Sequence, residues 1–125
     1  MSSEPKEQPE SAEEDRLLKI VLEAIDAMKG LDVMVIDVRA MTTITDRMVI
    51  ASGTSIRHVK AIADNVELVA RREGFQVLGV EGAQAAEWVL IDLGDVVVHV
   101  MLPAIRKFYA LEKLWAVVGE RSDDD

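Results

Sequence analysis

Trp88-Val89-Leu90-Ile91-Asp92-Leu93-Gly94-Asp95-Val96-Val97-Val98-His99-Val100-Met101 is the stretch that decides the fold. Successive side chains of a strand point to opposite faces, so each half of the stretch sorts into two sets. One set is wholly aliphatic: Val89, Ile91 and Leu93, then Val96, Val98 and Val100. It needs a cover of helices. The other set holds Trp88, Leu90 and Asp92, then Asp95, Val97, His99 and Met101, an aromatic and a thioether among carboxylates on the side expected to face water. Asp92-Leu93-Gly94-Asp95 reads as a tight turn with Gly94 where positive φ is needed. The two runs therefore form a hairpin, and their unusual faces merge.

Downstream of the hairpin, Pro103 opens a helix with the stripe Ala104, Phe108, Leu111, Trp115 and Val118. Upstream, Phe75 to Val80 reads as a strand. Before it, Ser55 can cap a helix running to about Glu73, with Val59, Ile62, Ala63, Val66, Val69 and Ala70 facing a core and Lys60, Asp64, Glu67 and Arg71 facing water. Val33 to Val38 and Met48 to Ala51 are β-branched runs around a threonine-rich loop, and read as two more strands. Leu17, Ile20, Val21, Ala24, Ile25 and Met28 recur at helical spacing between Glu13 and Lys29, and Gly30 follows as a stop. Five strands interleaved with three helices predict an α/β fold, a five-stranded mixed sheet with helices packed against it. The strand before the middle helix reaches a parallel neighbour only through such a crossover.

The chain has 125 residues, 50% of them hydrophobic, which suits one domain with its own core. That domain is expected over 12–119, between a disordered polar tail over 1–11 and a disordered acidic tail over 120–125. No apolar run approaches the roughly 18 residues of a membrane-spanning helix. The acidic start, with Glu4, Glu7, Glu10, Glu13 and Glu14, resembles neither a signal peptide nor an Arg-rich transit peptide. A bacterial cytoplasmic protein without membrane contact is expected. With no cysteine, a disulfide framework, a thiolate metal site and a cysteine nucleophile are excluded. The net charge of −9 argues against binding by phosphate neutralisation, so little direct RNA contact is expected and a basic protein partner fits better. The same charge can also serve solubility alone.

Trp88, Met101, Arg106 and Tyr109 lie close together along the hairpin and the following helix, and are residue types enriched at interface centres. They form a candidate partner-binding patch with Asp92 and Asp95 at its rim. The competing reading buries Trp88 in part under a loop or the last helix. His99 is read as a hydrogen-bonded neighbour within the sheet, because His58 offers no ligand spacing with it, and no metal or cofactor is expected. Ser52-Gly53-Thr54-Ser55 could cradle a phosphate at a helix start, yet it lacks the glycines and lysine of a P-loop. A serine nucleophile there would need His58 as base, one turn along the same helix, and no catalytic residue is assigned. Asp92 and Asp95 are read as turn formers before metal ligands.

Thr45-Asp46, then Val49-Ile50-Ala51-Ser52-Gly53-Thr54-Ser55, then Val59-Lys60-Ala61-Ile62-Ala63-Asp64 closely resemble the ribosomal silencing factor family, also called Iojap-related proteins. Glu81-Gly82, Trp88-Val89-Leu90-Ile91-Asp92, Gly94-Asp95-Val96-Val97-Val98-His99-Val100, Arg106, Phe108-Tyr109 and Leu111-Glu112-Lys113-Leu114-Trp115 keep the family's order and spacing. The resemblance covers about Leu17 to Trp115. It implies a translational repressor that binds the fourteenth protein of the large ribosomal subunit and blocks joining of the small subunit when nutrients are scarce. It also implies a nucleotidyltransferase-like fold without catalytic residues. The sequence agrees, since Phe75 to Val80 contains no acidic pair. Carried onto this chain, the docking surface falls on the hairpin face and last helix, with Trp88 and Tyr109 as aromatic anchors and Asp92 as an acidic contact. The chain departs from the family in having Arg47 and Met48 after Asp46, where an aromatic is common, and Leu93 where another is common. Two alternatives stay open, a large-subunit biogenesis factor and a nucleotide-binding enzyme using Gly53 to Ser55, as does a homodimer of the free protein.

Overall fold

Residues 9–109 are described by a computed structural model. In chain order they form α1 (Pro9–Ala27), β1 (Leu31–Asp37), β2 (Arg47–Ser52), α2 (Ile56–Arg72), β3 (Gly79–Glu81), β4 (Trp88–Asp92), β5 (Val96–Met101) and α3 (Pro103–Tyr109). The sheet order is β1-β2-β5-β4-β3. β2 and β5 pair in parallel, whereas β1 with β2, β4 with β5 and β3 with β4 pair antiparallel. β3 therefore runs parallel to β2 with two strands between them, and α2 makes the crossover over β5 and β4. This is the five-stranded mixed sheet that the sequence predicts.

Helix α2 starts where Ser55 takes an extended backbone and its Oγ accepts the His58 N–H at 3.1 Å, satisfying a donor the helix cannot pair internally. Gly53 just before it passes so near Val59 that an added Cβ would lie 2.8 Å from the Val59 nitrogen. Val59, Ile62, Ala63, Val66 and Ala70 of α2 and Leu17, Val21, Ala24 and Ile25 of α1 cover the aliphatic face of the sheet. Val89, Ile91, Leu93, Val96, Val98 and Val100 all lie in that core, so the hairpin alternation holds residue for residue. His58 ties the two helices. Its Nδ1 accepts the Thr54 N–H at 2.8 Å, which leaves Nε2–H to donate to the Met28 carbonyl at 2.8 Å.

Two expectations change. The strand over 75–80 shrinks to Gly79–Glu81, because Phe75 and Val77 pack against the helix-side core as a loop. The Phe75 N–H still bonds to Ala70 of α2, and the Arg16 guanidinium stands 4.5 Å from its ring centre. Helix α1 begins at Pro9, inside the tail expected over 1–11, while residues 1–8 lie outside the described part. The last helix is described to Tyr109. Leu111, Trp115 and Val118 of its stripe, and the acidic tail, lie outside the described residues.

The helix-free face is also less open than alternation suggests. Val38, Met48, Ile50 and Met101 form a second small core, packed by Ile36, Met41, Trp88 and Ile105. The loop after β1 supplies Met41 and α3 supplies Ile105, and together they close the part of the face nearest β2.

Gly82 at φ +82 sits against β4, where an added Cβ would fall 2.2 Å from the Trp88 carbonyl oxygen, whereas Gly74 at φ +92 has open space around it among the described residues. Gly74→Ala is expected to cost only the backbone strain, about 1–2 kcal/mol. Gly82→Ala adds a backbone clash that cannot be relieved by rotating a side chain. Urea unfolding should show a clearly larger loss for Gly82→Ala than for Gly74→Ala.

Candidate functional site

On the helix-free side of the hairpin, Trp88 pairs with Met101, Leu90 with His99 and Asp92 with Val97. Trp88 and His99 are thus diagonal neighbours on one face. The indole N–H donates to His99 Nδ1 at 2.9 Å, with the ring centres 5.9 Å apart and the planes tilted by 49°. Accepting that bond fixes Nδ1 as the unprotonated nitrogen. Burial pushes the His99 imidazole down to about 4, so the ring is neutral at physiological pH.

Trp88 is half-buried and held at its N–H end by His99. Beside it lies a recess of about 210 Å³ lined by Glu81, Gly82, Trp88 and Leu90. Further along, Asp92 is half-exposed and its Oδ1 accepts the Gly94 N–H at 2.9 Å, confirming the turn that the sequence indicates. Trp88, Leu90, Asp92 and Val97 therefore present one continuous half-exposed surface. A larger hollow of about 580 Å³ follows the outer side of α1 at Leu18 and Leu22. Its described walls come from one helix alone, which makes it a poor small-molecule site.

Met101 and Arg106 do not belong to that surface. Met101 has no exposed area and sits in the second core, while Arg106 is 8% exposed and donates from Nη1 to Ser52 Oγ at 3.0 Å. Both are covered on this same side of the sheet, Met101 by the second core that Ile105 of α3 helps to close, a correction to their reading as surface contacts. Tyr109 ends α3, and its side chain lies outside the described part. Leu90 and Glu81 line the recess beside Trp88, which reading by residue type misses. The hairpin register alone would have found Leu90, since Asp92-Leu93-Gly94-Asp95 fixes which residues face each other.

The serine readings dissolve in the geometry. Ser52 is 1% exposed and its hydroxyl is taken by Arg106; Ser55 Oγ is the cap of α2; both ring nitrogens of His58 are engaged. Among the described residues, neither hydroxyl is hydrogen-bonded to a histidine ring or a carboxylate. Among the described residues no three His, Asp or Glu side chains group as a metal site.

The family described as "Ribosomal silencing factor during starvation" matches residues 9–125. The chain belongs to this ribosomal silencing factor family. A ribosomal silencing factor of Chromobacterium violaceum is 45% identical over 97 residues, covering 78% of this chain and 80% of that protein. A crystal structure from the same organism superposes with a TM-score of 0.81 at 43% identity, covering 82% of this chain and 85% of the other. A mouse protein named "Mitochondrial assembly of ribosomal large subunit protein 1" is 39% identical over 99 residues, covering 75% of this chain and 41% of its own length. Membership places the chain among ribosome-associated regulators of translation, whose names are regulatory and not those of enzymes.

The neutral His99 makes a testable demand. Its folded value is depressed, so its contribution to stability is complete above the ordinary 6.5 and is lost as pH falls toward about 4. The full loss is about 3 kcal/mol. His99→Gln, which can still accept from the indole N–H, should lose less stability on acidification than the parent in urea unfolding. An imidazole NMR midpoint near 6.5 would contradict the burial of this ring.

Proposed function

We propose that this silencing factor is a translational repressor without enzymatic activity. It docks through the Trp88–Leu90–Asp92 face and the adjoining end of α3 on the fourteenth protein of the large ribosomal subunit. There it sterically keeps the small subunit from joining and lowers translation under nutrient limitation. The observation that carries the reading is Trp88, an aromatic fixed at one end by His99 and presented at the other beside an apolar recess. Interface centres are built of such rigid aromatics. Asp92 and Glu81 at the margin, with a net charge of −9, suit a basic protein and disfavour direct RNA contact.

The mouse relative's name supports a second reading, a factor that serves assembly of the large subunit. The exposed edge of β1, where Leu31, Val33, Met34 and Val35 are each at least 40% exposed, supports pairing of the free protein with a second copy. Light scattering at rising concentration reads that pairing as a doubled mass.

Sucrose-gradient sedimentation with separated subunits tests the function. The protein should travel with the large subunit and suppress joined particles when the small subunit is added. Binding without suppression favours assembly, and nucleotide turnover without ribosomes favours an enzyme. For the face itself, Asp92→Asn keeps the turn acceptor but removes the charge, so it should slow association and weaken its salt dependence. Trp88→Ala and Tyr109→Ala should each weaken binding by about 2 kcal/mol or more, roughly thirtyfold. Melting temperatures taken alongside separate lost contact from lost packing, since Trp88 also touches the second core.

A further inference from the structure

His99 has a second ring nitrogen that the fold leaves unused. An indole N–H is a donor only, so the bond from Trp88 occupies the lone pair of Nδ1 and puts the proton of the neutral imidazole on Nε2. An imidazolium would carry N–H groups at both positions and would lose that bond. Among the described residues Nε2 has no hydrogen-bond partner, and it is not one of the polar atoms sealed from solvent. The residue as a whole is only 6% exposed. A donor so nearly buried is poorly served by water and gains from an acceptor brought against it.

The register shows on which side it is open. Toward β2, His99 pairs with Ile50, which is sealed in the second core with Met41 and Ile105. Toward β4 it pairs with Leu90, which is half-exposed, and Val97, two residues earlier on the same face, is half-exposed as well. Trp88 and Asp92 stand two residues to either side of Leu90 on that face. His99 therefore sits where the closed part of the helix-free face gives way to the open part, at the inner edge of the Trp88–Leu90–Asp92 surface.

We propose that His99 is itself a contact of that surface, donating from Nε2 to an uncharged oxygen of the docking protein such as a backbone carbonyl. This contact rests on the docking reading and adds to it a residue and the kind of group that residue takes. A carboxylate or a phosphate is the wrong acceptor, because the neutral ring offers it no opposite charge and the acidic Asp92 and Glu81 stand at the margin of the same surface. His99 thus has two roles through two atoms: Nδ1 positions Trp88, and Nε2 meets the partner.

Nitrogen NMR of the histidine rings in the full chain should show His99 protonated at Nε2 and unprotonated at Nδ1; the opposite tautomer overturns the contact. Dissociation constants for large ribosomal subunits then separate the two roles. Trp88→Phe keeps a ring but has no N–H, so in that background His99 no longer acts by fixing the indole. His99→Leu should weaken binding about threefold to tenfold in the parent and in the Trp88→Phe background alike, the range that a neutral hydrogen bond commonly contributes. His99→Gln, whose amide can accept from the indole and donate outward, should recover most of the loss. A His99→Leu effect that vanishes in the Trp88→Phe background makes His99 a positioning residue only and overturns the contact, while a weakened Trp88→Ala leaves the docking reading standing. Unchanged binding in every variant, Trp88→Ala included, removes the docking face and this contact with it. Should His99→Leu fail to fold, the ring signal decides: exchange of the Nε2 proton with water should slow once the isolated fourteenth protein of the large subunit is bound to saturation, and an unchanged rate overturns the contact.

Discussion

Strand β5 is buried on both faces except at Val97, and most of the molecule is arranged around that burial. It lies between a parallel partner, β2, and an antiparallel one, β4. Strands paired in parallel are characteristically covered on both sides. Val96, Val98 and Val100 go under α1 and α2, while His99 and Met101 go under the loop after β1, α3 and Trp88. An imidazole in that second layer needs a hydrogen-bond partner because an unpaired buried polar group is expensive. The Trp88 N–H supplies it. The indole is thereby fixed at its N–H, and in the proposed docking its ordering cost would be met on folding and not on binding.

The same constraint accounts for how the polar groups around the strand, Gly-Ser turn and helix are used. Ser52 sits on β2 beside β5, and α3, in covering that region, directs Arg106 onto its hydroxyl. Ser55 and His58 are used in capping α2 and joining it to α1. The polar groups that a catalytic reading would recruit are already satisfied by structure. Architecture alone does not carry activity.

Much of this was legible because the hairpin carries two unambiguous signals, strict alternation and a Gly-containing turn. Ser55 and Pro103 likewise mark helix starts by mechanism, and both stand where those helices begin. Phe75 to Val80 misled because an apolar run buried as a loop under helices has the same composition as a strand; only pairing with β4 distinguishes Gly79–Glu81. The burial of Met101 and Arg106 was not legible, since it depends on where α3 and Met41 pack. Nor was the ion pair of Glu14 with Arg47, which are distant in the chain and meet because α1 lies against the start of β2.

The absence of cysteine from the chain allows a direct test of which surface meets the ribosome. Single cysteines at Val97 on the hairpin face and at Asp64 on the outer side of α2 would be labelled with a thiol reagent, with and without large subunits. The account expects Val97→Cys to be shielded by the large subunit while Asp64→Cys reacts equally in both conditions. Shielding of Asp64→Cys with Val97→Cys left fully reactive would contradict it.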